Sequence, residues 1–206
     1  MATGKFIVFE GIDGSGKSSH AVLLKERLKK EGYRVFLTQE PSDGEAGKLL
    51  RRCLTGESDL PEQAIAGLFM TDRIDHILNP ATGLLKHLEA GEIVLCDRYY
   101  FSSFAYNGMY APIEWVIEIN RIAREKLRPD LTVFLDIRPE TFLTRTQGRG
   151  AKERYEKVEV LNKVRENYFK AFDLLPDEKV AVIDNARSLS EAAEDVYRAV
   201  KKVLEE

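Results

Sequence analysis

Residues 6–19 read FIVFEGIDGSGKSS. Four apolar residues open the stretch as a predicted strand, a glycine-rich loop follows, and an apolar-periodic segment continues at once as a predicted helix. Strand, loop and helix in this order are the context that the phosphate-binding loop, or P-loop, requires. The glycines let the backbone curl so that its N–H groups point at phosphates, and the helix adds its positive dipole end. The stretch therefore predicts a binding site for the phosphates of a nucleotide.

The P-loop pattern assigns roles to two side chains. Lys17 is placed to reach the β- and γ-phosphates, and the Ser18 hydroxyl is placed to ligate Mg²⁺. The alternative is an ordinary glycine-rich turn between a strand and a helix, which the four fixed positions of the pattern and its flanks disfavour. The predicted phosphate-binding residues are Gly11, Ile12, Asp13, Gly14, Ser15, Gly16, Lys17 and Ser18.

Length, composition and charge restrict the class of protein. The 206 residues suit a single domain, 1–206, and the 44% hydrophobic and 32% charged residues are ordinary for a globular protein. A net charge of -3 argues against a general nucleic-acid-binding surface, which would be basic. No apolar run approaches the length of a membrane span, and the N-terminus has no signal-peptide pattern. We therefore expect a cytoplasmic protein without nucleic-acid or membrane partners.

The two cysteines and three histidines do not have the spacing of a metal site. Cys53 and Cys96 are far apart and lie in predicted helical and strand segments, so we expect them to be small core residues. We expect His20, His76 and His87 to be surface residues or satisfied polar residues.

Five apolar runs separated by helical segments organise the chain. The predicted strands cover residues 6–9, 33–39, 93–96, 131–137 and 180–183, and the predicted helices follow residue 17 and cover 49–54, 61–77, 84–88, 112–127, 155–175 and 188–204. This alternation predicts an α/β fold, a five-stranded parallel sheet with helices on both faces.

Polar residues end four of the predicted strands. Ligands of such sheets gather at the carboxyl ends of the strands, so these residues are candidates for the site. They are Glu10 and Gly11, Gln39 and Glu40, Asp97 and Arg98, and Asp184 and Asn185. Asp97 has the place of an acidic group that organises the hydrated Mg²⁺, and Arg98 beside it is suited to phosphate. The alternative for this pair is a surface ion pair or a helix cap.

Two further patterns suit the enclosure of a small substrate. The stretch 145–154 carries Arg145, Arg149, Lys152 and Arg154 between glycines, and mobile basic loops neutralise charge during phosphoryl transfer. A solvated charged loop explains the spacing equally well. Phe69 and Arg73 lie four residues apart on one helix face, where an aromatic ring and a bidentate donor could read a nucleobase. Taken alone, Phe69 is better explained as a core residue.

Together these residues resemble the thymidylate kinase family over nearly the whole chain. The motifs that carry the resemblance are FEGIDGSGKSS, the Glu40-Pro41 turn, LFMTDRIDH at 68–76, DRYYFSSFAY at 97–106, PDLTVFLD at 129–136 and RGAKERYE at 149–156. The resemblance implies a nucleoside monophosphate kinase-like three-layer fold with a short lid at about 145–155. It also implies transfer of the γ-phosphate of ATP to dTMP with Mg²⁺, and a homodimer. The apolar segments 68–77 and 113–122 could supply the interface, and they could equally face the core.

The resemblance further implies roles for individual residues. The expected dTMP-binding residues are Asp13, Glu40, Phe69, Arg73, Arg98, Ser102, Ser103 and Tyr106, with Phe69 stacking on thymine, Arg73 reading its carbonyl edge and Tyr106 packing under the deoxyribose. Arg145, Asn185 and Ala186 are expected to flank adenine, and Ser18 and Asp97 to hold the metal. The expected catalytic residues are Lys17, Asp13, Arg98, Arg149 and Arg154.

The sequence departs from the family pattern at two positions. Gln39 stands where members commonly carry an arginine that contacts the acceptor phosphate. Gly14 stands where some members place the transition-state arginine in the P-loop, so the chain resembles the class that supplies this charge from the lid. Arg149 or Arg154 is then the expected transition-state arginine.

Two alternatives remain open at the level of sequence. A kinase for another monophosphate, such as dUMP, UMP or dGMP, would share most of these features. A P-loop regulatory module without a small acceptor is the alternative of a different class, although the chain has no N-K-x-D guanine motif.

Overall fold

A computed structural model describes residues 4–140 and 158–206 of the protein. Its sheet contains β1 (Phe6–Glu10), β2 (Val35–Gln39), β3 (Ile93–Asp97), β4 (Leu131–Asp136) and β5 (Val180–Asp184). All pairings are parallel, and the strand order is β2-β3-β1-β4-β5. The predicted α/β class and the five-stranded parallel sheet are confirmed.

The described helices cover both faces of this sheet. They are α1 (Lys17–Lys30), α2 (Glu45–Leu54), α3 (Glu62–Leu78), α4 (Leu84–Glu89), α5 (Tyr100–Tyr106), α6 (Ile113–Ile119), α7 (Arg121–Lys126), α8 (Val158–Leu174) and α9 (Leu189–Leu204), and a 3₁₀ turn (Asn107–Met109) follows α5. One core packs Val8, Phe134 and Tyr168 against one face of the sheet, and a second packs Phe9 and Val196 against the other. The result is the expected three-layer arrangement.

The central strand β1 determines where ligands can bind. β1 is buried along its whole length between β3 and β4, with Phe9 in register with Asp97 and with Val133. The chain leaves β1 toward one edge of the sheet and later returns toward the other, so the strand order reverses beside it. A crevice at the carboxyl ends of β1 and β3 follows from this topology.

Helix boundaries were the weakest of the sequence predictions. The predicted helix at 49–54 begins four residues earlier, at Glu45, and α5 was not predicted. The single helix predicted over 112–127 was wrong, because the chain forms α6 and α7 with Asn120 between them. The side chain of Asn120 donates to the carbonyl oxygen of Val116 and so competes with the helical hydrogen bonds of the backbone.

Cys53 and Cys96 are buried free thiols, as predicted. Within 4–140 and 158–206, no helix is both long enough and apolar enough to cross a membrane. The predicted lid at about 145–155 lies outside the described residues.

Candidate active site

The P-loop connects β1 to α1, and its backbone requires glycine at two points. Gly11 has φ of +146°, and a Cβ there would lie 2.6 Å from the Ser15 hydroxyl oxygen and 2.8 Å from the Leu135 carbonyl oxygen. Gly16 precedes α1 with φ of +87°. A larger side chain at either position would introduce strain, so the tight path of the loop requires glycine at both.

Lys17, the first residue of α1, is buried under this loop. Its ammonium donates to the carbonyl oxygens of Gly11 and Ile12, each at 3.0 Å. Burial lowers the pKa of Lys17 to about 8, and the positive charge of Arg98 acts in the same direction. The lysine is therefore a cation that a bound anion would stabilise strongly.

Asn185 supports the P-loop from the end of β5. Its side-chain nitrogen donates to the carbonyl oxygen of Ser15 at 2.5 Å, and its oxygen lies 3.0 Å from His20 Nε2. The Asn185 side chain is buried, whereas Ala186 is exposed and donates its backbone N–H to Asp184. The geometry gives Asn185 a role in holding the loop, and its contact with adenine stays a prediction.

Ser18 and Asp97 meet across the P-loop and the end of β3. The Ser18 hydroxyl donates to Asp97 Oδ2 at 2.5 Å. Asp97 Oδ1 is buried and has no hydrogen-bond partner within the described ranges. A hydroxyl and a free carboxylate oxygen are hard oxygen ligands of the kind that Mg²⁺ takes together with phosphate and water, so this pair fits the ion.

In the part of the chain that the structure describes, no three His, Cys, Asp or Glu side chains form a cluster that could hold a metal. A magnesium ion held by few protein groups is typical of phosphoryl-transfer sites, where the substrate supplies further oxygens.

Asp13 connects the P-loop to the residues after β3. Its carboxylate accepts a hydrogen bond from the Arg98 guanidinium and one from the Tyr106 hydroxyl, the latter at 2.8 Å. Burial alone would raise the pKa of Asp13, but the charges of Arg98 and Lys17 lower it below its ordinary value. Asp13 is therefore ionised at neutral pH and fixes the guanidinium beside the P-loop.

A cavity opens next to this pair, between α3 and α5. Its empty volume, with the open mouth included, is about 530 Å³. The lining residues are Asp13, Glu40, Pro41, Leu54, Phe69, Arg73, Arg98, Tyr99, Ser102, Ser103, Tyr106 and Asn107. All eight residues that the sequence assigned to the acceptor are among them.

Arg73 lies at the inner wall of the cavity and is held from several sides. Its Nε donates to Glu40 Oε2 at 2.8 Å, and Nη1 donates to Ser103 at 3.1 Å and to Asn120 at 2.5 Å. Glu40 also contacts His76 Nδ1 at 3.2 Å. These contacts fix the guanidinium, so any ligand it binds must fit its orientation.

Comparison with known proteins identifies the family to which this site belongs. The family model described as thymidylate kinase matches residues 9–196. The chain is 38% identical to a probable thymidylate kinase of Pyrococcus horikoshii, with 98% of each chain covered. It is 40% identical to a probable thymidylate kinase of Thermococcus onnurineus, over 97% of this chain and 98% of the relative.

The chain belongs to the thymidylate kinase family. A third relative, a probable thymidylate kinase of Archaeoglobus fulgidus, is 36% identical over 96% of this chain and 95% of its own. A nucleoside monophosphate kinase follows from this membership.

The described structure does not test every residue that was expected in the thymidylate kinase site. Arg145, Arg149 and Arg154 lie outside the described residues. Gln39, which replaces the family's arginine, is exposed at the end of the edge strand β2 and does not line the cavity.

Sequence reasoning missed three residues with central contacts. Glu10 was noted as the end of a strand without a role, although it accepts four hydrogen bonds from other segments. Asn120 had a visible signal, since a polar amide interrupts an otherwise apolar helical pattern. Tyr168 on α8 had no local signal, because its partners are distant in sequence.

Proposed function

We propose that this protein transfers the γ-phosphate of ATP to dTMP and releases dTDP and ADP. The observation that carries the proposal is the cavity beside the P-loop, lined by all eight residues expected to bind dTMP. Family membership supports the same reaction. The donor phosphates and the acceptor phosphate would then meet at Asp13 and Arg98, where the P-loop and the cavity join.

The chemistry requires alignment and charge neutralisation more than a strong base. A phosphate oxygen of dTMP is already a nucleophile, so the protein must hold it in line with the γ-phosphorus. In our proposal the P-loop amides and Lys17 hold the donor phosphates, while Arg98 holds the acceptor phosphate. Mg²⁺, when bound by Ser18 and Asp97, supplies positive charge to the phosphate oxygens.

Recognition of the nucleoside would come from the opposite wall of the cavity. Phe69 would stack on the thymine ring, and Arg73 would donate to a carbonyl oxygen at the edge of the base. Nη2 of Arg73 has only the ion-pair contact with Glu40 among the described residues, which leaves it an N–H for such an acceptor. Tyr106 is held by Asp13 and would pack under the deoxyribose.

We also propose that the chain acts as one domain, with a lid at about 145–155, and forms a homodimer. Trp115 and Ile122 are exposed apolar residues within the segment 113–122, and Leu78, directly after the segment 68–77, is exposed at the end of α3. Sedimentation of the purified protein would test the dimer, and a monomer at micromolar concentration would contradict it. A cytoplasmic location stays a prediction.

A panel of acceptors tests the proposed reaction. The rate of ADP release is measured with ATP and Mg²⁺ against dTMP, dUMP, UMP and dGMP, with Lys17→Met as the inactive control. We expect dTMP to give the highest kcat/KM. A higher value for another monophosphate would overturn the substrate assignment. Binding of ATP without transfer to any acceptor would indicate a regulatory module.

A further inference from the structure

Glu10, the last residue of β1, is fully buried and is not among the residues that line the cavity. Its Oε1 accepts hydrogen bonds from the backbone N–H groups of Tyr99 at 2.9 Å and Ser102 at 3.0 Å. Its Oε2 accepts from the Ser102 hydroxyl at 2.6 Å and from the Tyr168 hydroxyl at 2.8 Å. Four donors from two other segments therefore converge on one side chain.

Two of these bonds complete the start of α5. Tyr99 precedes the helix, and its own side chain makes no capping hydrogen bond. The free N–H groups of a first helical turn need acceptors, and a short side chain at the preceding position normally supplies one. Here a carboxylate from the neighbouring strand serves both Tyr99 and Ser102.

Arg98 lies between Asp97, the last residue of β3, and Tyr99, whose backbone N–H bonds to Glu10. Its backbone has φ of +70°, and it is the one residue other than glycine with positive φ in the described ranges. This left-handed conformation is unfavourable for an L residue and must be imposed by the surroundings. The N–H of Arg98 bonds to the Phe9 carbonyl oxygen, and the next N–H, of Tyr99, bonds to Glu10.

A further contact joins Glu10 to the guanidinium itself. The Ser102 hydroxyl donates to Glu10 and accepts a hydrogen bond from Arg98 Nη1 at 3.2 Å. The second end of the guanidinium bonds to Asp13. Glu10 therefore acts on Arg98 both through the backbone turn and through the Ser102 side chain.

We propose that Glu10 is a positioning residue that fixes Arg98 for its hold on the acceptor phosphate, acting through Tyr99 and Ser102. This inference rests on the proposed function, because it assigns the acceptor phosphate to Arg98. A carboxylate is needed because it only accepts hydrogen bonds, whereas an amide of the same shape would turn N–H groups toward some of the four donors.

The variant Glu10→Gln tests the proposal, and Asp130→Asn is its matched control. Asp130 also accepts a backbone hydrogen bond from β1, from the N–H of Phe6 at 2.7 Å, but at the opposite end of the strand from the site. Both variants replace a carboxylate by an amide of equal size. Calorimetry measures the affinities for dTMP and for thymidine, which lacks the phosphate, and steady-state kinetics gives the KM for ATP.

We expect Glu10→Gln to weaken dTMP binding about tenfold or more, which corresponds to about 1.4 kcal/mol. Thymidine affinity and the KM for ATP should change less than about threefold. Asp130→Asn should lower the melting temperature without changing the ratio of dTMP to thymidine affinity. A ratio in Glu10→Gln equal to that of the wild type would overturn the inference and reduce Glu10 to a structural residue.

A second pair of variants applies if Glu10→Gln does not fold. Ser102→Ala removes the hydroxyl that joins Glu10 to Arg98, and it should lower the same affinity ratio less strongly. In an Arg98→Ala background it should have no further effect on this ratio, as expected for groups that act through one another. An equal effect in both backgrounds would contradict the inference. A wild-type protein that does not prefer dTMP over thymidine would overturn the proposed function as well.

Discussion

Arg73 Nε and Nη2 both contact a single oxygen of Glu40, Oε2, at 2.8 Å and 2.7 Å. The two side chains are 1% and 2% exposed. Neither charge has access to bulk water, so each depends on the other for compensation. Both residues line the cavity, so the shape of the proposed base site depends on a buried ion pair.

Removal of one charge from this pair should destabilise the protein strongly. We expect Glu40→Gln to lower the free energy of unfolding by roughly 3–5 kcal/mol, because Arg73 would keep a buried charge without its counter-ion. Urea denaturation measures the change. Glu206→Gln is the control, since Glu206 pairs with Lys179 on the exposed surface and should contribute little. Equal effects of the two variants would contradict the prediction.

Asn120 should affect binding of the base more than the chemical step. Asn120→Leu removes one of the two acceptors of Arg73 Nη1, so we expect the KM for dTMP to rise about tenfold with a smaller change in kcat. Asn120→Asp keeps an oxygen acceptor for Arg73, although it loses the amide donor to Val116, and should leave the KM closer to that of the wild type than Asn120→Leu does. Steady-state kinetics with dTMP as the varied substrate measures both. An unchanged KM in Asn120→Leu would exclude this role.

Asp97 should determine the requirement for Mg²⁺. Its Oδ1 is buried and has no hydrogen-bond partner among residues 4–140 and 158–206, and its Oδ2 accepts a hydrogen bond from Ser18. We therefore expect Asp97→Asn to raise the Mg²⁺ concentration for half-maximal activity at least tenfold. A titration of activity with Mg²⁺ at saturating ATP measures the shift. Asp130→Asn, whose carboxylate is remote from the site, should have the wild-type requirement. A wild-type titration curve for Asp97→Asn would show that Asp97 does not bind the metal.

Lys17 should couple ATP binding to proton uptake. With a pKa of about 8 in the free protein, Lys17 loses its charge as pH rises through 8. Phosphate anions favour the charged form, so ATP binding should take up roughly half a proton at pH 8 and almost none at pH 6, and ATP affinity should fall above pH 8. Calorimetry at pH 8 in two buffers of different ionisation enthalpy measures the uptake.

The control for proton uptake is Lys17→Arg. Arginine stays charged throughout this pH range, so the variant should bind ATP without the buffer-dependent heat. A wild-type heat that is independent of the buffer at pH 8 would show that Lys17 titrates elsewhere.

The transition-state charge should come from the segment 145–155. Gly14 provides no side chain in the P-loop, and we expect Arg149→Ala or Arg154→Ala to lower kcat by about 10³-fold with little change in ATP affinity. Lys152→Ala is the control for general loss of positive charge and should retain most activity. Near-normal kcat in both arginine variants would exclude this segment as the source of the charge.

The sequence predicted the strands well because each contains an apolar run. The polar residues at the carboxyl ends of the strands indicated where the site lies. Prediction from the sequence failed at α5, whose first turn is capped by Glu10 from another strand and so has no local start signal. It also failed at Asn120, which separates α6 from α7 and whose side-chain oxygen accepts a hydrogen bond from Arg73. Motif spacing and the family resemblance predict which residues meet a substrate, but the partners that orient these residues are distant in sequence and become visible only in the fold.

The left-handed backbone at Arg98 determines which substitutions would be favourable at this position. By backbone conformation alone, glycine or asparagine would suit position 98 better than any long side chain. The proposed chemistry requires a guanidinium at the same place. A substitution that relieves the backbone at position 98 would therefore remove the guanidinium that the proposed chemistry requires, so a thermostability library should leave this position unmutated.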